Sequence, residues 1–189
     1  MDSQPREWPL EETRRGAELG LFRLRHDRRR NPRNGVTIDA LVLETADWVN
    51  VVALTPRSEI VLVRQFRFGN GRVTLEIPGG VITRGEPPLE AAKRELREET
   101  GYVARRWTAL GPVEPNPAFH DNLCHQYLAE DAELAGALEL DPGEDIAVEL
   151  LPLDEVVRRV RSGEIRHSLV LTALMRVADL RRPNASDAR

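Results

Sequence analysis

The sequence predicts an α+β domain, a mixed β-sheet sandwiched between helices, preceded by a β-rich N-terminal extension. Three observations carry this. β-rich segments separated by turn residues fill most of the first eighty positions. One helix with an acidic side follows near the middle, and two apolar-striped segments close the chain. The 189 residues suffice for one good core and leave little room for a second full domain.

Residues 1–17 are polar and predict a loop or a short helix. Residues 18–28, ELGLFRLRHDR, alternate in part and predict a strand. RRNPRNG at 29–35 predicts a turn, because Asn31-Pro32 and Asn34-Gly35 are both turn signals and the second suits a hairpin. VTIDALVLE, WVNVVALT and EIVLVRQFRF predict three strands, broken at 45–47 and 56–58. VTLEIPGG at 73–80 predicts another, ending in a Pro-Gly-Gly bend.

A helix then follows. Pro87 and Pro88 suit a first helical turn, whose N–H groups lack intrahelical partners anyway. Leu89, Ala92 and Leu96 give it an apolar stripe, Glu90 and Arg94 stand as an i, i+4 pair, and Gly101 falls where a left-handed cap would end it. Strands are predicted at YVARRWTAL, around LCHQYLA and at IAVELLPL, with the loop EPNPAFHDN and an acidic loop over 130–145 between them. LDEVVRRVRSG and IRHSLVLTALMRVADL predict two helices, separated by Gly163 and stopped before Pro183. The expected division is an extension over 1–45 and a main domain over 46–189.

Composition narrows the function classes. A formal net charge of −4 gives no general attraction to nucleic acid or anionic membranes, so neither is an expected partner. Arg23, Arg25, His26, Arg28, Arg29, Arg30 and Arg33 form a local basic cluster, for which a solvated strand and turn is favoured over a phosphate-binding face. Cys124 is the single cysteine, so no intrachain disulfide or cysteine metal cluster is expected, which fits a reducing cytoplasm. The N-terminal residues lack the apolar core of a secretory signal, and no apolar run nears the ~20 residues that span a bilayer. A soluble cytoplasmic protein is expected.

The chemistry concentrates in GVITRGEPPLEAAKRELREETGY, residues 80–102. Glu95, Glu98 and Glu99 stand at i, i+3 and i+4, so their side chains share one helix face. Like charges at that spacing destabilise a helix by a few tenths of a kcal/mol per pair. A cation between them removes the conflict, and hard divalent ions favour oxygen ligands. The pattern therefore points to metal-assisted chemistry on phosphates.

Gly80, Glu86, Arg94, Glu95, Leu96, Glu98, Glu99, Gly101 and Tyr102 resemble the Nudix box, G-x5-E-x7-R-E-U-x-E-E-x-G-U, at each of its specified positions. VRQFRFG at 63–69, LEIPGG at 75–80, Pro117 sixteen residues past Gly101, and DPGEDIAV are similar to segments of the ADP-ribose and ADP-sugar pyrophosphatase subgroup. The likeness covers about residues 20–180 and implies the Nudix fold. It also implies a metal-dependent hydrolase of nucleoside-diphosphate sugars, with ADP-ribose split to AMP and ribose 5-phosphate.

By this resemblance, Glu95, Glu98, Glu99 and the Gly79 carbonyl hold the metal, expected to be Mg²⁺ with Mn²⁺ as the alternative. Glu86 supports from the loop, and Arg94 orients the acids. Glu98 and Arg94 count as catalytic together with Glu144, the candidate general base, for which Asp141 and Asp145 compete. Arg67 suits a diphosphate, because its planar fork matches phosphate oxygens; Gln65 and Gly80 are expected to line the substrate beside it. Adenine needs an aromatic face, for which Trp48 and Phe119 are the two candidates. The resemblance further implies a homodimer built through the N-terminal β region.

Two other readings stay open. One is a Nudix hydrolase of GDP-mannose, a dinucleoside polyphosphate or an oxidised nucleoside triphosphate, against which the QFR and LEIPGG segments weigh. The other is a non-catalytic Nudix-like domain that senses a nucleotide sugar, against which the intact box weighs.

Overall fold

A computed structural model of the chain describes residues 4–178. Within it, the residues up to Ala46 together with Glu114–Asn122 form one compact unit, and Asp47–Val113 with the residues from Leu123 onward form the other. Pro183, expected as a helix stop, lies outside the described residues.

The first unit is a three-stranded antiparallel sheet of β1 (Leu10–Leu19), β2 (Phe22–Arg30) and β3 (Thr37–Glu44), in that order. Two sequence expectations are corrected here. The polar stretch expected as loop or short helix runs into β1, and the single strand expected over 18–28 is divided by a tight turn at Gly20, whose φ is 70°. A polar sequence can sit in this sheet because β1 is exposed along its whole length and needs no apolar alternation. Its charges pair with β2 (Glu11 with Arg30 and Glu18 with Arg23) and reach across it to β3 (Arg14 with Asp39 at 3.4 Å). The expected turn between β2 and β3 is present, closed by the Asn31 N–H donating to Val36 O at 2.8 Å.

The basic cluster is largely a set of ion pairs. Arg25 reaches Glu44 at 2.6 Å, Asp121 at 3.0 Å and Asp27 at 3.1 Å. Asp27 is 2% exposed and also accepts from Thr13 Oγ1 at 2.9 Å. A buried carboxylate needs such partners, and the arginines supply them.

The second unit is built on a six-stranded mixed sheet. It comprises β4 (Trp48–Leu54), β5 (Glu59–Arg67), β6 (Arg72–Glu76), β8 (Arg106–Val113), β9 (Cys124–Glu130) and β11 (Ile146–Pro152). The order is β11-β5-β4-β9-β8 with β6 also paired to β5; β4 and β9 run parallel and the other pairs are antiparallel. The expected single strand YVARRWTAL is interrupted, giving the two-residue β7 (Tyr102–Val103) before β8. β7 pairs with β10 (Glu133–Leu134), a strand inside the segment expected to be loop.

Side-chain alternation along the central strands sorts the core into two layers. Val49, Val51, Ala53 and Val61 pack with Ala91, Ala92 and Leu96 of α1 (Pro88–Thr100). Val52, Ile60 and Leu62 pack with Val156 of α2 (Leu153–Arg161) and with Val170, Ala173 and Leu174 of α3 (Ser168–Val177). Strands covered on both faces read as nearly continuous apolar runs, as WVNVVAL does apart from the buried Asn50. The sheet is thus sandwiched between helices, as expected.

α1 begins as its prolines dictate, with Pro87 capping and Pro88 in the first turn. It ends at Gly101, whose φ of 72° is left-handed and whose N–H donates to Arg97 O at 2.7 Å. The Gly101 carbonyl in turn accepts from Ala135 N at 2.9 Å and Gly136 N at 3.2 Å, and a Cβ at Gly101 would collide with the Gly136 carbonyl oxygen. Gly101→Ala is therefore expected to lower stability by at least about 1–2 kcal/mol, from left-handed strain plus the collision. Urea unfolding of the two proteins checks this, and an unchanged midpoint would contradict it.

Candidate active site

The acidic helix is set against β4 by the segment that leaves β6. Val51 N–H donates to Pro78 O and Val49 N–H to Gly80 O, each at 2.9 Å, which laces residues 78–80 along β4. Gly79 N–H then donates to Glu99 Oε2 at 2.8 Å. A Cβ at Gly80 would lie 2.5 Å from the Glu95 carboxylate. Only a glycine lets this backbone pass so close to the acids of α1.

Arg94 binds the acids together. Its Nε and Nη2 donate to the two oxygens of Glu86 at 2.9 and 3.0 Å, while its Nη1 donates to Glu95 at 2.8 Å and Glu98 at 2.9 Å. The expected Glu90–Arg94 pair is not formed, because Glu90 instead accepts from Lys93 at 2.8 Å. The difference has a simple cause. One glutamate on the exposed side of the helix competes for Arg94 with three carboxylates on the inner side. The hydrogen bond from Arg94 holds Glu86 below its ordinary value, and Arg94 itself is pushed further up, by Glu86 first.

Glu95 and Glu99 are buried, at 8% and 4% exposure. Burial raises the Glu95 carboxyl above its ordinary value, against the pull of Arg94. Burial, together with the charges of Glu95 and Glu144, pushes Glu99 up to about 8, against the Gly79 hydrogen bond and Arg67. Glu98 is half-buried, with its side chain 36% exposed.

Glu144 stands in the loop before β11, where its carboxylate accepts from Asp141 N at 3.0 Å. Its charge bears on Glu95, Glu99 and Arg67. Gln65 lies half-buried on β5, in register with Thr74 and Ile146. Trp48 is half-buried at the start of β4, opposite Val81. Phe119 belongs to the first unit, 41% exposed, with its ring edge-on to His120 at 4.9 Å. Cys124 is buried, its thiol pushed up to about 12 by that burial, which removes it as a nucleophile at neutral pH.

Two contributors were not singled out by sequence reasoning. Arg67 grips Glu76, with Nε to Oε1 at 3.0 Å and Nη2 to Oε2 at 2.8 Å. His167, at the start of α3, reaches the same carboxylate through Nδ1 at 2.9 Å. The available signal was an acid flanked by Leu75 and Ile77 in a strand, since a charge there must be paired.

Among the described residues no three His, Cys, Asp or Glu side chains converge as a ready-made metal cage. The donor set nonetheless fits a hard divalent cation. It consists of carboxylates with the Gly79 carbonyl and contains no sulfur or imidazole. The segment at Gly80 leaves Glu95 no room to turn away, and burial makes the anionic form of Glu99 costly until positive charge lies beside it. Glu95, Glu98, Glu99 and Gly79 are the residues that would hold such an ion.

The NUDIX domain family matches residues 45–172. The chain is 35% identical over 159 residues to the ADP-ribose pyrophosphatase of Mycobacterium tuberculosis, covering 83% of this chain and 76% of that protein. It is 35% identical over 133 residues to the ADP-ribose pyrophosphatase of Bacillus subtilis, covering 70% and 72%. Its fold is similar to the crystal structure of an ADP compounds hydrolase, with a TM-score of 0.80 and 23% identity, over 93% of this chain and 95% of that one.

A pH prediction follows from Glu99. Its folded value of about 8 lies above the ordinary 4.5, so the folded protein holds a proton there that the unfolded chain releases. That stabilising contribution is complete below 4.5 and lost as pH rises through about 8. In chelator-treated protein, Glu99→Gln is expected to match the wild-type Tm near pH 5 and to exceed it by several degrees above pH 8. Thermal melts across that range check it, and parallel curves would contradict it.

Proposed function

The chain belongs to the Nudix family, and from that premise we propose that it hydrolyses the diphosphate linkage of nucleoside-diphosphate sugars, with ADP-ribose as preferred substrate and Mg²⁺ as the working ion. The observation that carries this reading is the Arg94-centred ridge of Glu86, Glu95, Glu98 and Glu99 beside Gly79. The names of the Mycobacterium tuberculosis and Bacillus subtilis relatives support the choice of substrate.

In the reaction, water adds to one phosphorus of ADP-ribose and the bridging P–O bond breaks. AMP and ribose 5-phosphate leave, and the water's protons pass to a base and to solvent. A divalent ion, when bound, lowers the repulsion between anionic phosphate and nucleophile and offsets the charge that develops. Glu95, Glu98, Glu99 and the Gly79 carbonyl would hold that ion, and Arg94 keeps the carboxylates aimed inward. Glu144 takes the water's proton. Arg67 holds the diphosphate: Glu76 uses its Nε and one Nη2 proton, so its remaining N–H groups are the ones to meet phosphate oxygens. Trp48 and Phe119 are the aromatic candidates for adenine.

We also propose a homodimer joined through the N-terminal sheet. No apolar side chain of β1, β2 or β3 is buried, while Leu10, Leu19, Ile38 and Leu41 are about half exposed. A three-stranded sheet with no fully buried apolar side chain needs a covering face. Light scattering is expected to return twice the 21.3 kDa chain mass, and a monomer at micromolar concentration would contradict the dimer.

Activity is tested with ADP-ribose, GDP-mannose and 8-oxo-dGTP side by side, followed by phosphorus NMR in ¹⁸O water. ADP-ribose is expected to be cleaved fastest. Glu98→Gln is expected to lower turnover by about two orders of magnitude or more with Tm nearly unchanged, because that side chain is half exposed. Full activity of this variant at matched metal would remove Glu98 from the site. Tight calorimetric binding of ADP-ribose without product would favour a sensor instead.

A further inference from the structure

We propose that Glu76 and His167 are positioning residues that hold Arg67 in the orientation in which it receives the substrate's diphosphate. This rests on the reading of Arg67 as the diphosphate contact. Glu76 lies on β6 with 2% exposure and accepts four hydrogen bonds. Two come from Arg67 at 3.0 and 2.8 Å, one from Thr74 Oγ1 at 2.6 Å and one from His167 Nδ1 at 2.9 Å. Burial alone would raise this carboxyl, but the bonds from His167, Arg67 and Thr74 outweigh it and hold Glu76 well below the usual carboxylate range. Glu76 is therefore a fixed anion, and His167 presents its proton on Nδ1.

The geometry gives this anion a task beyond satisfying itself. In the antiparallel pair, Arg67 lies opposite Arg72 and Gln65 opposite Thr74, so Arg67 must fold back along β5 to meet Glu76. Its side chain remains 43% exposed while two of its five N–H groups are tied down. Glu99 and Glu144 also attract this guanidinium. Without a closer anion, Arg67 would be drawn toward the carboxylates that the site needs for a cation. Glu76 supplies that anion from β6, and His167 holds Glu76 from α3, a helix that adds no side chain to the acidic ridge.

The test is a double-mutant cycle on the full chain, using kcat and KM for ADP-ribose, calorimetric binding of ADP with Mg²⁺, and Tm. His167→Ala is expected to raise KM and weaken ADP binding about tenfold, with a smaller change in kcat. His167→Asn, whose amide nitrogen can replace Nδ1, is expected to recover most of that loss. In an Arg67→Ala background, His167→Ala is expected to add little, because the residue it acts through is gone. Additive losses in the cycle, or Tm falling while KM and ADP affinity stay constant, would show a purely structural role and overturn the proposal. If Arg67→Ala alone binds ADP and cleaves ADP-ribose as the wild type does, the underlying reading of Arg67 fails, and this inference with it. A Glu76→Gln protein too unstable to assay leaves the His167 cycle as the deciding experiment.

Discussion

Like charge crowded on one helix face is the constraint around which this molecule is organised. At about 4 Å two carboxylates repel by roughly 1 kcal/mol in water and by roughly 4 kcal/mol at the effective dielectric of a protein surface. Glu95 and Glu99 are buried, where the penalty grows. Arg94 answers it with one guanidinium shared among Glu86, Glu95 and Glu98. Glu99 takes the Gly79 amide and remains disposed to keep a proton. The ridge is thus half-neutralised from within, which keeps it folded and leaves it electrically hungry. That condition suits a site meant to accept a cation and then a diphosphate.

The rest of the second unit keeps this charge in place. α1 can carry acids inward because Ala91, Ala92 and Leu96, on the same buried side as Glu95 and Glu99, fasten that side to the sheet. The segment over 78–80 can pass beneath Glu95 because it has no Cβ at Gly80 and is hydrogen-bonded along β4. α2 and α3 cover the opposite face, so the central strands are largely apolar on both sides. Rigid elements on both sides of one sheet are what precise placement of ligating oxygens requires.

Local signals made the helix legible in the sequence. Pro87, Pro88 and Gly101 mark its ends and Glu95, Glu98 and Glu99 share a face, all within twenty-odd residues. The central strands were equally plain, since each is a short β-rich run between turn residues. The misreadings share a different cause. β1 is polar because its partners are charges on β2 and β3, so the alternation that marks a half-buried strand is absent. β10 is defined by pairing with β7 about thirty positions away. The i, i+4 spacing of Glu90 and Arg94 is visible locally but the pair does not form, because Glu86 folds back onto Arg94 from the loop. Glu76 and His167 are 91 positions apart, and only the packing of α3 against the sheet brings them together.

That last pair bears on how one site keeps opposite charges apart. A diphosphate hydrolase needs anions to hold a metal and cations to hold the substrate, within a few ångströms of each other. Left alone, the two sets would neutralise each other as ion pairs and bind neither ligand. Here each set is occupied by a partner of limited reach. Arg94 is fixed to Glu86 and so can bind Glu95 and Glu98 without leaving the rim. Arg67 is fixed to Glu76, which is buried and anchored by Thr74 and His167, and so resists the pull of Glu99 and Glu144. The two arginine–glutamate pairs, Arg94–Glu86 and Arg67–Glu76, act as spacers. They hold the acidic ridge and the Arg67 fork each to its own partner, which is what the proposed reaction asks of both.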